Sequence, residues 1–244
     1  MQPVQLREKI LLFGMKFAIL ADIHANLEAF QAVLEHATQQ SCTNHAFLGD
    51  FVGYCADPKA CIDIVRGMNA PCVKGNHDEY CASTFSLDGF SPKAAKAIEW
   101  TRGQLTPDDR HWLHDLPHVL RLESFTIVHA TLDSPNRWGY VFDKLAAASS
   151  LACQNTDVCF FGHTHVPVAF VRDTMVRGGT FSKLKVERGK KYFVNGGAVG
   201  QPRDNNPKAA YVTFNVDDGL IELHRVSYDI APAQRKIKEA GLGD

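Results

Sequence analysis

The chain has 244 residues, of which 45% are hydrophobic, and this is enough to bury one sizeable core. Its formal net charge of -1 and its pI of about 6.8 give no overall field that would attract nucleic acid or an anionic membrane, so neither is expected as a stable partner. No apolar run approaches the roughly 20 residues of a transmembrane helix, and seven cysteines without a Cys-x-x-Cys pair predict reduced thiols in the cytoplasm.

Short apolar runs recur along the chain, and a cluster of polar residues follows each run directly. Runs of this length and content predict strands that are buried on both faces. The runs span residues 16–21, 46–48, 71–74, 125–128, 157–161 and 191–194. The clusters that follow them begin at Asp22, Gly49, Gly75, His129, Gly162 and Asn195.

Helical patterns connect the first three runs. Asn26 precedes, as an N-cap, a set of apolar residues at helical spacing from Leu27 to Ala37, and a second pattern extends from Pro58 to Met68. Strands that alternate with helices are typical of βαβ units, which bind ligands at the carboxyl ends of their strands. Since the polar clusters all follow strands, we expect them to meet at one edge of the fold.

Residues 81–124 depart from this pattern. Ser91 starts one predicted helix, and Thr106 starts another, which Pro117 ends. These helices stand between the third and fourth polar clusters. They therefore predict a small helical cap that overhangs the strand ends.

The remainder of the chain is rich in strand patterns. Residues 211–216 and 220–223 flank an Asp-Asp-Gly turn and predict a hairpin. No internal repeat or linker interrupts the chain, so we predict one domain over residues 1–244. Residues 1–15 are expected to be an N-terminal extension of that domain, because Met15 lies just before the first strand and could be a second start.

The predicted strand ends offer seven oxygen and imidazole donors and no sulfur. These candidate metal ligands are Asp22, His24, Asp50, Asn76, His129, His163 and His165. Seven donors exceed what one tetrahedral zinc ion uses, and they match two divalent ions that share a carboxylate. Glycine, asparagine and aspartate are common in turns, but turns do not explain five histidines at four strand ends. The sequence therefore predicts two divalent metal ions, either Mn, Fe or Zn.

The polar clusters also stand in a characteristic order. They read Asp22-x-His24, Gly49-Asp50, Gly75-Asn76-His77-Asp78, His129 and Gly162-His163-x-His165. From about residue 16 to residue 200, this order resembles the calcineurin-like metallophosphoesterase superfamily, and most closely its small bacterial and archaeal phosphodiesterase-like branch. The resemblance implies an α/β fold, a four-layer α/β/β/α sandwich of two packed mixed sheets with a small helical cap segment.

The resemblance also implies a role for each residue of the cluster. One ion would bind Asp22, His24, Asp50 and His165, and the other would bind Asp50, Asn76, His129 and His163. His77 would be the catalytic general acid that protonates the leaving group. Many relatives orient this histidine with an aspartate three residues after the bridging one, but here that position is Gly53. Asp57 or Asp78 could take that place in space.

The enzyme implied is a metal-dependent phosphoric ester hydrolase. Two ions about 3.5–4 Å apart can clamp the attacking and leaving oxygens, so a hydroxide held between them would attack a small phosphomonoester or phosphodiester in line. The alternatives are a protein serine/threonine phosphatase, a dinucleoside-polyphosphate hydrolase, or a catalytically silent scaffold of the same fold. The catalytically silent scaffold is disfavoured because the chain retains His77 and every expected metal ligand. The expected partner is a small phosphorylated substrate, and the oligomeric state is left open.

Two further pairs of residues lie near the predicted site. Arg203 and Asp204 could contact the site or pair with each other, and pairing is the favoured interpretation. Arg137 and Trp138 follow the strand that ends at His129. They could meet a phosphate or an aromatic leaving group, which is the less favoured interpretation.

Overall fold

The computed structural model describes residues 14–243, which form two mixed β-sheets and the helices that cover them. The strands are β1 (Lys16–Leu20), β2 (Asn44–Phe47), β3 (Val119–Arg121), β4 (Phe125–Val128), β5 (Val158–Phe161), β6 (Val168–Arg172), β7 (Val176–Gly179), β8 (Lys183–Lys185), β9 (Lys191–Asn195), β10 (Ala209–Asn215) and β11 (Leu220–Val226). The helices are α1 (Leu27–Gln39), α2 (Pro58–Met68), α3 (Asn76–Ala82), α4 (Pro92–Gln104), α5 (Pro107–Asp115), α6 (Lys144–Cys153) and α7 (Ile230–Glu239), with a short 3-10 helix at Pro135–Arg137.

Each sheet combines parallel and antiparallel neighbours. The five-stranded sheet has the order β2-β1-β10-β11-β8, in which β1 is parallel to β2 and antiparallel to β10. The six-stranded sheet has the order β3-β4-β5-β9-β6-β7, in which β4, β5 and β9 are parallel. Parallel neighbours end at the same edge of a sheet. The loops after β1 and β2 therefore lie side by side, as do the loops after β4 and β5.

Alternate residues of the strands fill the space between the two sheets. In β1, Phe17 and Ile19 belong to the core between the sheets, whereas Ala18 and Leu20 belong to the core beneath the helices. In β5, Phe160 faces the other sheet in the same way. Because both faces of these strands are buried, each strand is apolar along its whole length.

Helices form the outer layers. Helices α1, α2 and α7 cover the five-stranded sheet, and α6 covers the six-stranded sheet. The result is a four-layer α/β/β/α sandwich, which confirms the fold class predicted from the sequence. None of the helices within residues 14–243 combines the length and apolar character that crossing a bilayer requires. The seven cysteines all lie in this part of the chain, and each is a free thiol.

Helices α4 and α5 lie in the segment that the sequence predicts as a cap, and both pack against α3, which precedes it. Helix α4 begins where predicted, because the Ser91 side chain accepts a hydrogen bond from the backbone N–H of Ala94. Helix α5 begins with a capping box between Thr106 and Asp109. The predicted N-terminal extension lies outside the described residues, apart from its last two positions.

The strand predicted for residues 71–74 is wrong. Cys72 forms only an isolated parallel bridge with Phe47. Val73 N–H still donates to the carbonyl of Phe47 at 3.1 Å, but Lys74 N–H donates instead to the carbonyl of Pro117 at 3.0 Å. The chain leaves the sheet at this point because a backbone partner from the end of the cap segment replaces the neighbouring strand.

Candidate metal centre

Loops from both sheets converge at one edge of the sandwich and carry the seven predicted metal ligands. The loops after β1, β2, β4 and β5 carry six of them, and Asn76 is the first residue of α3. All seven side chains are buried, and none is more than 8% exposed. The structure therefore brings together every residue that the sequence predicts as a ligand, while their binding of metal remains a prediction.

The donor atoms form two groups that share Asp50. Within each group, one donor atom of every residue lies within 4.8 Å of the others. The first group contains Asp22, His24, Asp50 and His165, and the second contains Asp50, His129 and His163. The Oδ1 atom of Asn76 lies 3.2 Å from Nε2 of His129, which places the amide with the second group. This division is the one that the family resemblance implies.

Each of the four imidazoles has its outer nitrogen against a backbone carbonyl. The pairs are His24 Nδ1 with Val52 O at 3.0 Å, His129 Nδ1 with Leu48 O at 2.7 Å, His163 Nε2 with Trp138 O at 2.9 Å, and His165 Nδ1 with Gln201 O at 2.6 Å. Since a carbonyl only accepts, the outer nitrogen must carry the proton. In a neutral ring the inner nitrogen then presents a lone pair, which is the form that binds a metal.

The inner nitrogens face each other in pairs. His24 Nε2 lies 3.1 Å from His165 Nε2, and His129 Nε2 lies 3.2 Å from His163 Nδ1. Two lone pairs at this distance cannot form a hydrogen bond with each other, but both can donate to one cation. Each pair, with a carboxylate beside it, therefore fits a divalent ion.

The backbone of the ligand loops is unusual. Asp22, His24, Asp50, His163 and His165 all have φ between 49° and 67°. Residues other than glycine rarely adopt this left-handed conformation, and they keep it only where the surrounding structure holds them. Hydrogen bonds between the loops supply that restraint, including His24 N to Asp50 O at 2.9 Å and His163 N to the Asp22 carboxylate at 3.1 Å.

Asp50 lies at the centre of the cluster. Its Oδ1 accepts a hydrogen bond from the backbone N–H of His77 at 2.8 Å. Its Oδ2 faces His24 Nε2 at 3.5 Å and His129 Nε2 at 3.4 Å, one from each group. The second oxygen therefore lies between the two groups of donors.

Asp78 fixes the loop that carries Asp50. Its carboxylate accepts hydrogen bonds from the backbone N–H groups of Asp50 at 2.7 Å, Phe51 at 2.8 Å and Gly75 at 2.9 Å. These bonds occupy both oxygens and direct them away from His77. Asp78 therefore positions the Asp50 loop and does not orient the histidine.

His77 packs against the cluster without a carboxylate partner. Its ring centroid lies 4.6 Å from that of Tyr54 and 4.8 Å from that of His24. Its Nδ1 is buried and has no hydrogen-bond partner within residues 14–243. Asp57, the other candidate for orienting it, pairs instead with Lys236 at 2.8 Å. Ring packing therefore holds His77 in place.

Gly53 occupies the position where many relatives carry the orienting aspartate. A Cβ atom added there would lie only 2.4 Å from Nδ1 of His77, and the residue has a φ of +88°. The histidine ring thus fills the space that a side chain at position 53 would need. This explains the departure from the family pattern in steric terms.

The ionisable groups of the cluster influence each other strongly. Burial by itself would lower the pKa of His129, but the carboxylates of Asp50 and Asp22 raise this pKa to about 9. Burial raises the pKa of Asp22 to about 7. Burial also lowers the pKa of His77, to about 4, so its imidazole is neutral near pH 7 when no ion is bound.

A cavity of about 580 Å³ opens beside the cluster and is lined by Asn76, His77 and His163 among others. Helix α3 contributes Tyr80 to it, the cap contributes Phe90, and the loop after β4 contributes Trp138 and Tyr140. Sequence reasoning did not single out these aromatic residues apart from Trp138. No signal could have identified the others, because they come from separate segments and share no spacing.

The favoured pairing of Arg203 with Asp204 is wrong. Asp204 binds Arg225 on β11, with Nη1 of Arg225 lying 3.3 Å from Oδ1 and Nη2 bonded to Oδ2. Asp204 pairs with Arg225 because the planar guanidinium of Arg225 can bond to both carboxylate oxygens at once. Arg203 lines the cavity instead. Of the second pair, Trp138 lines the cavity and Arg137 is exposed outside it.

The chain is similar to known proteins along most of its length. Residues 15–219 match the family model described as "Calcineurin-like phosphoesterase superfamily domain". An uncharacterized protein of Methanocaldococcus jannaschii is 35% identical over 226 residues, which is 90% of each chain.

Two crystal structures resemble the present one along nearly the whole chain. A metallophosphoesterase from Sphaerobacter thermophilus has a TM-score of 0.83 and 37% identity, over 95% of this chain and 96% of that one. A hypothetical protein from Pyrococcus horikoshii has a TM-score of 0.77 and 17% identity, over 94% and 95% of the two chains. The second likeness shows a shared fold only.

Substituting Gly53 should disturb the fold more than substituting a glycine of similar φ elsewhere. Gly189 has a φ of +85° but no atom within 4 Å of an added Cβ. We expect Gly189→Ala to lower the free energy of unfolding by about 1–2 kcal/mol, the cost of a left-handed alanine. Gly53→Ala should lower the free energy of unfolding by roughly a further 1–3 kcal/mol, because it also displaces the buried His77 ring.

Urea unfolding of both variants measures these two losses on the same scale. The positive φ is common to the two sites, so the difference between the variants reports only the contact with His77. Equal losses in the two variants would show that His77 does not depend on a glycine at position 53.

Metal affinity should rise with pH. Without a bound ion, His129 keeps a proton below its pKa of about 9, and Asp22 keeps one below its pKa of about 7. A metal ion must displace these protons, so raising the pH removes the competition, and each competing proton changes the affinity by about tenfold per pH unit. Calorimetric titration with Mn²⁺ in buffers of different ionisation enthalpy should show proton release that diminishes towards pH 9. Affinity that falls as the pH rises would contradict this.

Proposed function

Because the chain belongs to the calcineurin-like phosphoesterase superfamily, we propose that it is a metal-dependent phosphoric ester hydrolase that acts on a small phosphomonoester or phosphodiester. The observation that carries the proposal is the pair of facing imidazole contacts on either side of Asp50. With both rings neutral, each facing pair leaves two lone pairs unsatisfied, and a bound cation would satisfy both.

The proposed site would hold two divalent ions, and Asp50 would be a ligand of both. The first would be held by Asp22, His24, Asp50 and His165, and the second by Asp50, Asn76, His129 and His163. Imidazole, carboxylate and amide donors together suit Mn, Fe or Zn. When bound, such ions lower the pKa of water and polarise phosphoryl oxygens, which is the chemistry that ester hydrolysis needs.

Asn76 and His77 would act on the substrate side of the centre. Asn76 is a neutral donor and adds no negative charge where an anionic ester must approach. His77 lines the cavity, and its Nδ1 is enclosed, so Nε2 is the ring nitrogen that can reach a substrate. In the proposed mechanism the negative charge of the bound ester raises the pKa of His77, which takes up a proton and donates it from Nε2 to the leaving oxygen.

The cavity supports a small substrate. Its volume of about 580 Å³ is typical of small-molecule sites. Aromatic side chains line its walls: Tyr80 from α3, Phe90 from the cap, and two more from the loop after β4, Trp138 and Tyr140. A flat leaving group could stack on these rings, so a dinucleoside polyphosphate is the second candidate substrate.

The test combines metal analysis with hydrolysis assays. Bound metal is quantified first, and then hydrolysis of p-nitrophenyl phosphate, bis(p-nitrophenyl) phosphate and glycerol 2-phosphate is followed with added Mn²⁺. Asp50→Ala should bind less metal and lose hydrolysis of all three esters, because both groups of donors use this residue. Asp63→Ala is a control, since Asp63 is exposed and pairs with Lys59 on α2.

His77→Ala should separate the general-acid step from metal binding. Loss of a general acid lowers the rate by about 10²–10⁴-fold when the leaving group is a poor one such as an alkoxide. The loss should be smaller for p-nitrophenolate, which leaves readily without a proton, and the metal content should stay unchanged. Equal hydrolysis rates for the parent and Asp50→Ala would overturn the proposed function. Full activity of His77→Ala on glycerol 2-phosphate would remove only the general-acid role.

A further inference from the structure

We propose that Arg203 is a substrate-binding residue whose guanidinium holds the phosphate of the ester beside the metal centre. This inference rests on the proposed phosphoesterase function and adds a phosphate-recognition residue to it. Four observations carry it: the fixed backbone at Arg203, the orientation of its side chain, its unused hydrogen-bond donors and the charge of the cavity.

The loop after β9 is bonded directly to the ligand loops. Gly200 N donates to the carbonyl of Asp22 at 2.9 Å, and Arg203 N donates to the carbonyl of His165 at 3.2 Å. The neighbouring Asp204 ties the same loop to Arg225 on β11. The backbone at Arg203 therefore has a fixed position relative to the first group of metal ligands.

The Arg203 side chain is directed by two polar neighbours. Its Nη2 donates to Oε1 of Gln201 at 2.9 Å and to the hydroxyl of Tyr54 at 3.3 Å. The guanidinium carbon lies 5.7 Å from the Tyr54 ring centroid. Tyr54 in turn packs against His77, with ring centroids 4.6 Å apart. The guanidinium and the proposed general acid therefore contact the same Tyr54 side chain.

The guanidinium retains donors for a ligand. Both of its side-chain hydrogen bonds use the same nitrogen, Nη2, and arginine has five N–H groups. Within residues 14–243 it forms no ion pair with a carboxylate, in contrast to Arg225 and Arg66. The residue is also exposed. An exposed arginine whose Nε and Nη1 donors are uncommitted is well suited to bind phosphate oxygens.

The charge of the cavity favours an anionic ligand. Its charged side chains are those of Arg203 and Lys93, against the single carboxylate of Asp88. Lys93 stands on the cap, whereas Arg203 is bonded to a ligand loop. Of the two cations, Arg203 is therefore the one held by its backbone next to the reacting phosphate.

The test compares phosphate binding and catalysis in four proteins loaded with Mn²⁺: the parent, Arg203→Gln, Arg203→Lys and Arg137→Gln. Arg137 is the matched control because it is an exposed arginine near the cavity that does not line it. Calorimetry with inorganic phosphate gives the dissociation constant, and circular dichroism and metal analysis verify folding and loading. Rates on p-nitrophenyl phosphate and bis(p-nitrophenyl) phosphate give kcat and KM.

We expect Arg203→Gln to weaken phosphate binding by about 10- to 100-fold, as the loss of a charge-assisted hydrogen bond implies. The loss in kcat/KM should be larger for the dianionic monoester than for the monoanionic diester, since Coulomb attraction scales with charge. Arg203→Lys should recover part of the affinity because it keeps the charge but loses the planar set of N–H donors. Arg137→Gln should match the parent.

A loaded and folded Arg203→Gln protein that binds phosphate within about twofold of the parent would overturn the inference. An equal loss in Arg137→Gln would also overturn it, since a general charge effect would then explain the result. Failure of the proposed function is distinguishable, because it would appear as absent hydrolysis in the parent itself. The phosphate dissociation constants would still decide whether Arg203 binds the anion.

Discussion

The carboxylate of Asp50 is the point on which the site depends. It is 1% exposed, and its Oδ2 lies between an imidazole from the loop after β1 and another from the loop after β4. These two loops belong to different sheets. A buried carboxylate is costly unless positive charge compensates it. The proposed pair of divalent ions would supply that charge and would join the two halves of the sandwich.

Residues other than the proposed ligands hold this arrangement in place. Asp78 binds the backbone of the Asp50 loop, and backbone carbonyls fix the tautomer of every ligand histidine. Several ligands adopt a left-handed backbone, which costs conformational energy. The buried strands beneath them, such as β1 and β5, provide the stability that tolerates this strain. Rigidity at the strand ends is therefore what allows ligands from distant parts of the chain to meet.

Features that depend on local sequence patterns could be predicted from the sequence. Continuous apolar runs identified strands such as β1 and β5, because both of their faces are buried. Polar residues after the strands identified the ligand cluster, since parallel strands end at one edge.

The strand at residues 71–74 could not be excluded, because its apolar content is that of a strand and only the tertiary contact with Pro117 removes it. The predicted pairing of Arg203 with Asp204 failed for the same reason, because the fold brings Arg225 to Asp204 from a distant part of the chain. The packing of His77 against Tyr54, and the aromatic cavity, likewise depend on segments that only the fold brings together.

The central claim is that two ions share Asp50. Electron paramagnetic resonance of the protein titrated with Mn²⁺ tests it most directly, because two ions bridged by one carboxylate are magnetically coupled. The account predicts that the signal of isolated ions gives way to that of a coupled pair as the second equivalent binds, and that Asp50→Ala abolishes the coupling. Saturation at one ion per chain, or two ions that remain uncoupled in the parent, would contradict it.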